Sequence, residues 1–182
     1  LKRYEVTPLK KTTIKFINWF SEYNIIPKGM ALKLFLSGSN DLEKFPKEII
    51  KNSKPYIKNH LVNLSEDQKK SLKKINSSNK KFRVHVLLGT TGSGKTIVYF
   101  EALKDIINKG FQCLIMLPEI GLTSQFEKKF IEFFGFKPAI WHSNISKKNK
   151  GLIWNKVANG DLKVVIGARS SLFLPFKKLG LI

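Results

Sequence analysis

Residues 89–96 read Gly-Thr-Thr-Gly-Ser-Gly-Lys-Thr, and Gly89, Gly94, Lys95 and Thr96 meet the spacing G-x-x-x-x-G-K-[ST]. Glycines at such intervals let successive backbone N–H groups converge on a phosphate, with Thr90, Thr91, Gly92 and Ser93 completing the cradle. A helix opening at Lys95 would add the positive end of its dipole at the same point. Lys95 is then placed to bridge β- and γ-phosphates, and the Thr96 hydroxyl to ligate Mg²⁺. The chemistry expected is therefore ATP–Mg²⁺ binding. GTP specificity has no support, because no N-K-x-D sequence occurs in the chain. Hydrolysis needs an acid at the end of a second strand. The in-chain candidate is Glu119, set off from the run CLIML by Pro118, and a better-placed acid is expected beyond LGLI at residues 179–182.

A phosphate loop requires a strand before it and a helix after it. The apolar run VHVLL (84–88) is expected to be that strand, and Val98, Tyr99, Ala102, Leu103, Ile106 and Ile107 to line the helix, with Lys109-Gly110 as its stop. A helix from Ser65 precedes this unit. After it come strand CLIML (113–117) and a helix from about Thr123 carrying Phe126, Phe130 and Phe133. Strand PAIW (138–141), a helix around 152–157 and strand KVVIG (163–167) complete the alternation. Strands alternating with helices imply an α/β fold with a parallel, doubly wound sheet. Upstream, KKTTIKFINWFSEYN and KGMALKLFL predict two helices broken at Asn24-Ile25-Ile26-Pro27, suiting either a winged-helix unit or a helical hairpin docked on the next domain. Residues 45–63, with Pro46, Pro55 and His60, read as a connector, with a domain boundary near residue 62.

The chain of 182 residues carries a net charge of +20, which points to a polyanionic partner. Only Arg3, Arg83 and Arg169 are arginines, and the abundance of Lys, Asn and Ile is also what an AT-rich gene encodes. One cysteine, Cys113, sits inside an apolar run, which excludes a disulfide framework and fits a reducing cytoplasm. No run approaches the ~20 apolar residues of a membrane helix. The termini Leu1 and Leu181-Ile182 are those expected of a fragment of a longer protein.

LSEDQ (64–68), GTTGSGKT (89–96), LPEIGLTSQF (117–126), WHSNIS (141–146) and VVIGARSSLFLPF (164–176) occur together in one order. That order resembles the superfamily 2 DNA helicases, most of all those that restart replication forks. The resemblance runs through residues 64–182 and, more weakly, through 10–40. It implies a P-loop RecA-like lobe over residues 63–182, truncated before the acidic box, and a small winged-helix-like domain with its connector over residues 1–62. It further implies that Gln68 reads the adenine edge. Read from the residues alone, Gln68 closes a capping box with Ser65, so both roles stand open. By the same resemblance Thr123, Gln125, Arg169 and Ser170 border single-stranded DNA. The alternative for Arg169 is a strand-end salt bridge, and Ser124 with Glu127 also reads as a helix start. Ala168 and Ser171 depart mildly from the family pattern, and Lys150 stands where arginine is usual. His142 is expected to order its loop, and Trp141 and Trp154 to lie in the core.

The function this implies for the intact protein is an ATP-dependent 3′→5′ DNA helicase in fork restart and primosome assembly. It would be cytoplasmic and nucleoid-associated in a bacterium, act on single-stranded and forked DNA with other restart proteins, and make no membrane contact. The second lobe, the acidic box and the family's zinc sites would all lie beyond Ile182, leaving these residues inactive alone. The rival readings are a non-enzymatic DNA-binding adaptor and another P-loop NTPase.

Overall fold

The computed structural model describes residues 9–36, 62–77, 82–118 and 120–182, with side chains in the helix after Glu119 described from Gln125 onward. The connector (with His60) and Glu119 therefore lie outside the described residues. Four parallel strands form one sheet: β1 (Gln112–Met116), β2 (Ala139–Trp141), β3 (Val164–Gly167) and β4 (Leu179–Leu181), in the order β2-β3-β1-β4. Six helices accompany them among the described residues: α1 (Lys11–Tyr23), α2 (Lys28–Phe35), α3 (Glu66–Asn76), α4 (Lys95–Asn108), α5 (Ile120–Phe134) and α6 (Lys147–Asn159). A 3-10 turn spans Arg169–Phe173.

The alternation of side chains along a strand sorts the core into two layers. Cys113, Val164 and Ile166 face α4 and α5, where Phe100, Leu103, Ile107, Phe130 and Phe134 are buried. Leu114 and Val165 face the other way, onto Trp154, Val157 and Ala158 of α6 and onto Trp141. Helices thus cover both faces, as the α/β alternation predicts, and β3 is buried along its whole length. Both Trp141 and Trp154 are core residues. The Phe126, Phe130, Phe133 stripe is found, and Phe134 joins it, stacked on Phe130 with centroids 4.3 Å apart.

Three elements differ from their sequence expectation. VHVLL (84–88) is irregular, with Val84 and Val86 each 78% exposed and Leu88 86% exposed. A period-two apolar run becomes a strand only when a neighbouring backbone takes its N–H and C=O groups, and no described strand pairs with this one. Helix α5 begins at Ile120, so Ser124 and Glu127 lie inside it and do not form its start. Helix α6 begins five residues earlier than Leu152, because the Ser146 hydroxyl accepts from Asn149 N at 3.3 Å and caps it.

Upstream, α1 and α2 form a hairpin seated directly on the α/β layer. Ile17, Ala31 and Phe35 are buried, with Phe173 of the 3-10 turn packed among them. Trp154 Nε1 donates to Phe35 O at 2.7 Å, and Lys10 Nζ donates to Lys177 O. The docked hairpin is the arrangement found, and a wing would fall in residues outside the description.

One buried polar residue ties these parts together. Gln112, 1% exposed, donates through Nε2 to Val157 O (3.1 Å) and Leu162 O (2.8 Å), and accepts at Oε1 from Lys177 N (2.8 Å) and Lys178 N (2.9 Å). Replacing Gln112 with Leu removes the partner of Leu162 O and of the Lys177 and Lys178 amides, while Val157 O keeps its bond from Gly160 N, at about 1–3 kcal/mol for each group left unsatisfied. We expect Gln112→Leu to lower unfolding stability in urea by roughly 3 kcal/mol or more; a loss under about 1 kcal/mol would show that water replaces the amide.

Burial also pushes the Cys113 thiol from 9.0 up to about 12. A folded value above the unfolded one means that its contribution is complete below pH 9.0 and declines as pH rises toward about 12. Iodoacetamide should leave the native thiol unmodified at pH 8 and alkylate it fully in denaturant, as mass spectrometry would record.

Candidate nucleotide-binding site

Helix α4 ends at Asn108, and β1 begins at Gln112 after a tight turn in which Gly110 has φ +82°. That short connection lays α4 antiparallel to the strands and puts its N-terminus at their C-terminal edge. The segments following β1, β2 and β3 leave from the same edge. The phosphate loop, the start of α5, the His142 loop and the 3-10 turn are therefore gathered on one side of the sheet, where open α/β sheets bind their ligands.

Within the loop, Ser93 N donates to Thr90 O at 3.2 Å, and Gly92 and Gly94 take φ of +84° and +77°. Gly94 is the N-cap of α4, and its carbonyl accepts from Ile97 N at 3.0 Å. Lys95 and Thr96 begin the helix, so their N–H groups have no intrahelical carbonyl to receive them. The Lys95 ammonium donates to Gly89 O at 2.6 Å and Thr90 O at 2.7 Å, which holds a positive charge across the loop. Thr96 Oγ1 accepts from Tyr99 OH at 3.2 Å. Tyr99 was missed as a site residue in the sequence; its position three after Thr96, one turn along the same face, is the signal for it.

Gln68 forms the capping box read from its spacing to Ser65. Its Oε1 accepts from Ser65 N at 2.9 Å, while its backbone N–H donates to Ser65 Oγ at 3.3 Å, completing the capping box. The other end of the same amide, Nε2, donates to Ser93 O at 3.1 Å. Glycine is favoured at 94 by its φ of +77°, and a Cβ there would displace the Gln68 Nε2 from Ser93.

The remaining candidates divide. Thr123 lies in α5 with its side chain outside the description, and Gln125 is exposed on that helix. Arg169 and Ser170 are exposed at the start of the 3-10 turn, so Arg169 does not sit at the end of a strand. That turn is closed by Ser171, whose buried hydroxyl donates to Ala168 O at 2.5 Å. Gly167 lets the strand end pass close to Trp141: a Cβ there would stand 2.6 Å from Trp141 O. His142 Nδ1 accepts from Asn144 N at 3.2 Å, ordering its loop as expected, and Lys150 Nζ donates to Ser143 O at 3.0 Å.

Gln68→Glu keeps the acceptor that caps α3 and removes the donor to Ser93, whereas Gln68→Ala removes both. Circular dichroism of the Glu variant should match the parent while hydrogen exchange across 89–94 quickens. The Ala variant should also lose roughly 0.5–1 kcal/mol with the bond to Ser65 N, while the Ser65 hydroxyl still caps the helix. Unchanged loop exchange in both variants would mean that the Ser93 bond does not hold the loop.

Known proteins carry the same pattern. Residues 65–181 match the DEAD/DEAH box helicase family. Over 171 residues the chain is 45% identical to the replication restart protein PriA of Rickettsia conorii, covering 93% of this chain and 25% of that protein. It is 34% identical over 131 residues to PriA of Bacillus subtilis, covering 71% and 16%. With PriA of Helicobacter pylori it shares 37% identity over 119 residues, covering 65% and 19%. The chain spans about a quarter or less of the length of these relatives. With the helicase family match extending from the capping box of α3 to β4, the chain belongs to the DEAD/DEAH box helicases.

Proposed function

We propose that these residues are the ATP-binding part of an ATP-dependent DNA helicase that restarts replication, with residues 63–182 as the first RecA-like lobe and residues 1–62 as a preceding module. The observation that carries the reading is the glycine cradle at the N-terminus of α4 with Lys95 held across it. The residues present fit a nucleoside triphosphate and its metal. Gly92 and Gly94 adopt the positive φ that lets a loop curl around a phosphate, and the N–H groups of Lys95 and Thr96, in the first turn of α4, have no intrahelical carbonyl to bond and are available to an anion. The Thr96 hydroxyl, oriented by Tyr99, is a hard oxygen ligand suited to Mg²⁺. When bound, MgATP supplies a phosphoanhydride whose cleavage drives movement along DNA.

Each residue then has one task. Lys95 exchanges its two loop carbonyls for phosphate oxygens and neutralises their charge. Gly89, Thr90, Thr91, Gly92, Ser93 and Gly94 bring backbone donors to the phosphates. Gln68 stands beside Ser93, where its amide can meet an adenine edge. Arg169 and Ser170, with Thr123 and Gln125, border the DNA strand from the same edge of the sheet. The name carried by the relatives supports action at replication forks. We extend it to single-stranded and forked DNA, 3′→5′ polarity, partner restart proteins and a nucleoid-associated place in the bacterial cytoplasm. The second lobe, the acid that activates water and any zinc sites belong to the intact protein, so these residues alone hold ATP and turn it over negligibly.

Binding of a fluorescent ATP analogue with Mg²⁺ tests the cradle directly. Lys95→Ala should weaken it at least tenfold, the loss of about 1.4 kcal/mol or more expected for a charged phosphate contact. In the full-length protein the same substitution should abolish ATPase stimulated by single-stranded DNA and leave DNA affinity intact. ATP turnover by the 182-residue chain at the full-length rate would overturn the assignment of the activating acid elsewhere.

A further inference from the structure

Helix α1 carries a surface ridge that the nucleotide site does not use. Lys11, Lys15, Trp19 and Tyr23 recur every four residues, so they line up along one side of the helix, and all four are exposed. Trp19 is 53% and Tyr23 73% exposed, although both are large aromatic residues on a helix with an available core side. Their rings are already parallel to one another, with centroids 5.2 Å apart and planes 21° apart. The stack continues inward: Trp19 lies on Phe16 at 5.7 Å and 16°, and Phe16 on Phe173 at 6.3 Å and 20°. Phe173 is the last residue of the 3-10 turn that begins with Arg169 and Ser170.

We propose that this ridge is a binding surface for single-stranded DNA, with a base stacking on the outer face of Tyr23 to extend the Phe16–Trp19–Tyr23 stack and phosphates meeting Lys11 and Lys15. The inference rests on the DNA-translocating function proposed above and assigns a further site to it. Three observations carry it. Cationic side chains followed by an exposed ring at the end of a parallel stack are the two components by which proteins hold single strands without reading sequence. The ridge is about 18 Å long at 1.5 Å per residue, room for about three nucleotides. The described hairpin is also strongly basic, with Lys10, Lys11, Lys15, Lys28 and Lys33 against the single acid Glu22.

Fluorescence reads this site selectively. Trp141 and Trp154 are 3% and 2% exposed, so Trp19, directly beneath Tyr23 in the stack, is the tryptophan whose emission a base added there can quench. Titrating the 182-residue chain with oligo(dT) at low salt should quench emission, and Trp19→Phe should remove the quench while largely retaining affinity. Trp19→Ala with Tyr23→Ala should weaken binding by about tenfold or more, the range for losing stacked bases. Lys11→Ala with Lys15→Ala should flatten the salt dependence by about 1.4 in log–log slope. Alanine suits exposed helical positions, and unchanged circular dichroism verifies folding. Full affinity in the aromatic variant, alongside weakened binding in Arg169→Ala, overturns the ridge and leaves the helicase reading standing. The ridge is equally overturned if the aromatic substitutions change only a dimer–monomer equilibrium in sedimentation, for then Trp19 and Tyr23 contact a second copy. No binding of oligo(dT) by the parent chain or the full-length protein would instead remove the DNA reading itself.

Discussion

The buried amide of Gln112 is the constraint around which the sheet is organised. A primary amide offers two donors and two acceptor lone pairs, and here all four meet backbone groups from three separate places. It fixes the C-terminal end of α6, the approach to β3 and the entry to β4 relative to the first residue of β1. The backbone repeats the same connection, since Gln112 N donates to Lys178 O at 2.7 Å and Cys113 N to Lys163 O at 2.7 Å. Register between β1, β3 and β4 is therefore set at one end of the sheet. The opposite end is left free to carry loops that bind ligands. A hydrophobic residue at 112 could fill the volume but could not specify which carbonyls come together.

A second amide performs the corresponding task at the functional edge. Gln68 caps α3 with one end and holds the phosphate loop with the other, and Gly94 leaves just enough room for it. Loop shape and helix position are thus coupled through a single planar group. Lys95 closes the loop from the other side by bonding to its carbonyls. An oxyanion in that position would draw the ammonium away from Gly89 and Thr90, because a charged acceptor is stronger than a neutral one. The loop is preformed in backbone, and its charge is the part left to be redirected.

How much of this could be read from the residues depended on the range of the interactions involved. The phosphate loop was legible because its spacing encodes a local backbone shape, and α4 because its apolar period and Lys109-Gly110 stop are local as well. The doubly wound sheet followed from alternation of strands and helices. VHVLL misled for the complementary reason: its period of two states which face would be apolar, not which backbone will pair with it. The 3-10 turn at Arg169 was hidden, since a turn closed by a Ser171 hydroxyl has no periodicity to detect. Gln112 was overlooked at the margin of the run CLIML, where a polar residue reads as the end of a strand. Its partners lie 45 to 66 positions away, and no local pattern announces them.

The hairpin shows how a feature of that long-range kind joins the parts of the molecule. Trp154 reaches from the core of α6 to bond Phe35 O, and Phe173 inserts between Phe16, Phe20 and Phe35 at centroid distances of 6.3, 5.0 and 5.1 Å. Phe173 makes edge contacts with Phe20 and Phe35, which resist sliding, and a stacked contact with Phe16. The 3-10 turn is consequently clamped from two sides: by the Ser171 hydroxyl and the close-packed Gly167 on the sheet side, and by the hairpin's rings on the other. A charged side chain at the free end of such a turn has its backbone fixed before any ligand arrives, which reduces the ordering cost of binding. The hairpin thereby holds in place the backbone from which Arg169 and Ser170 project.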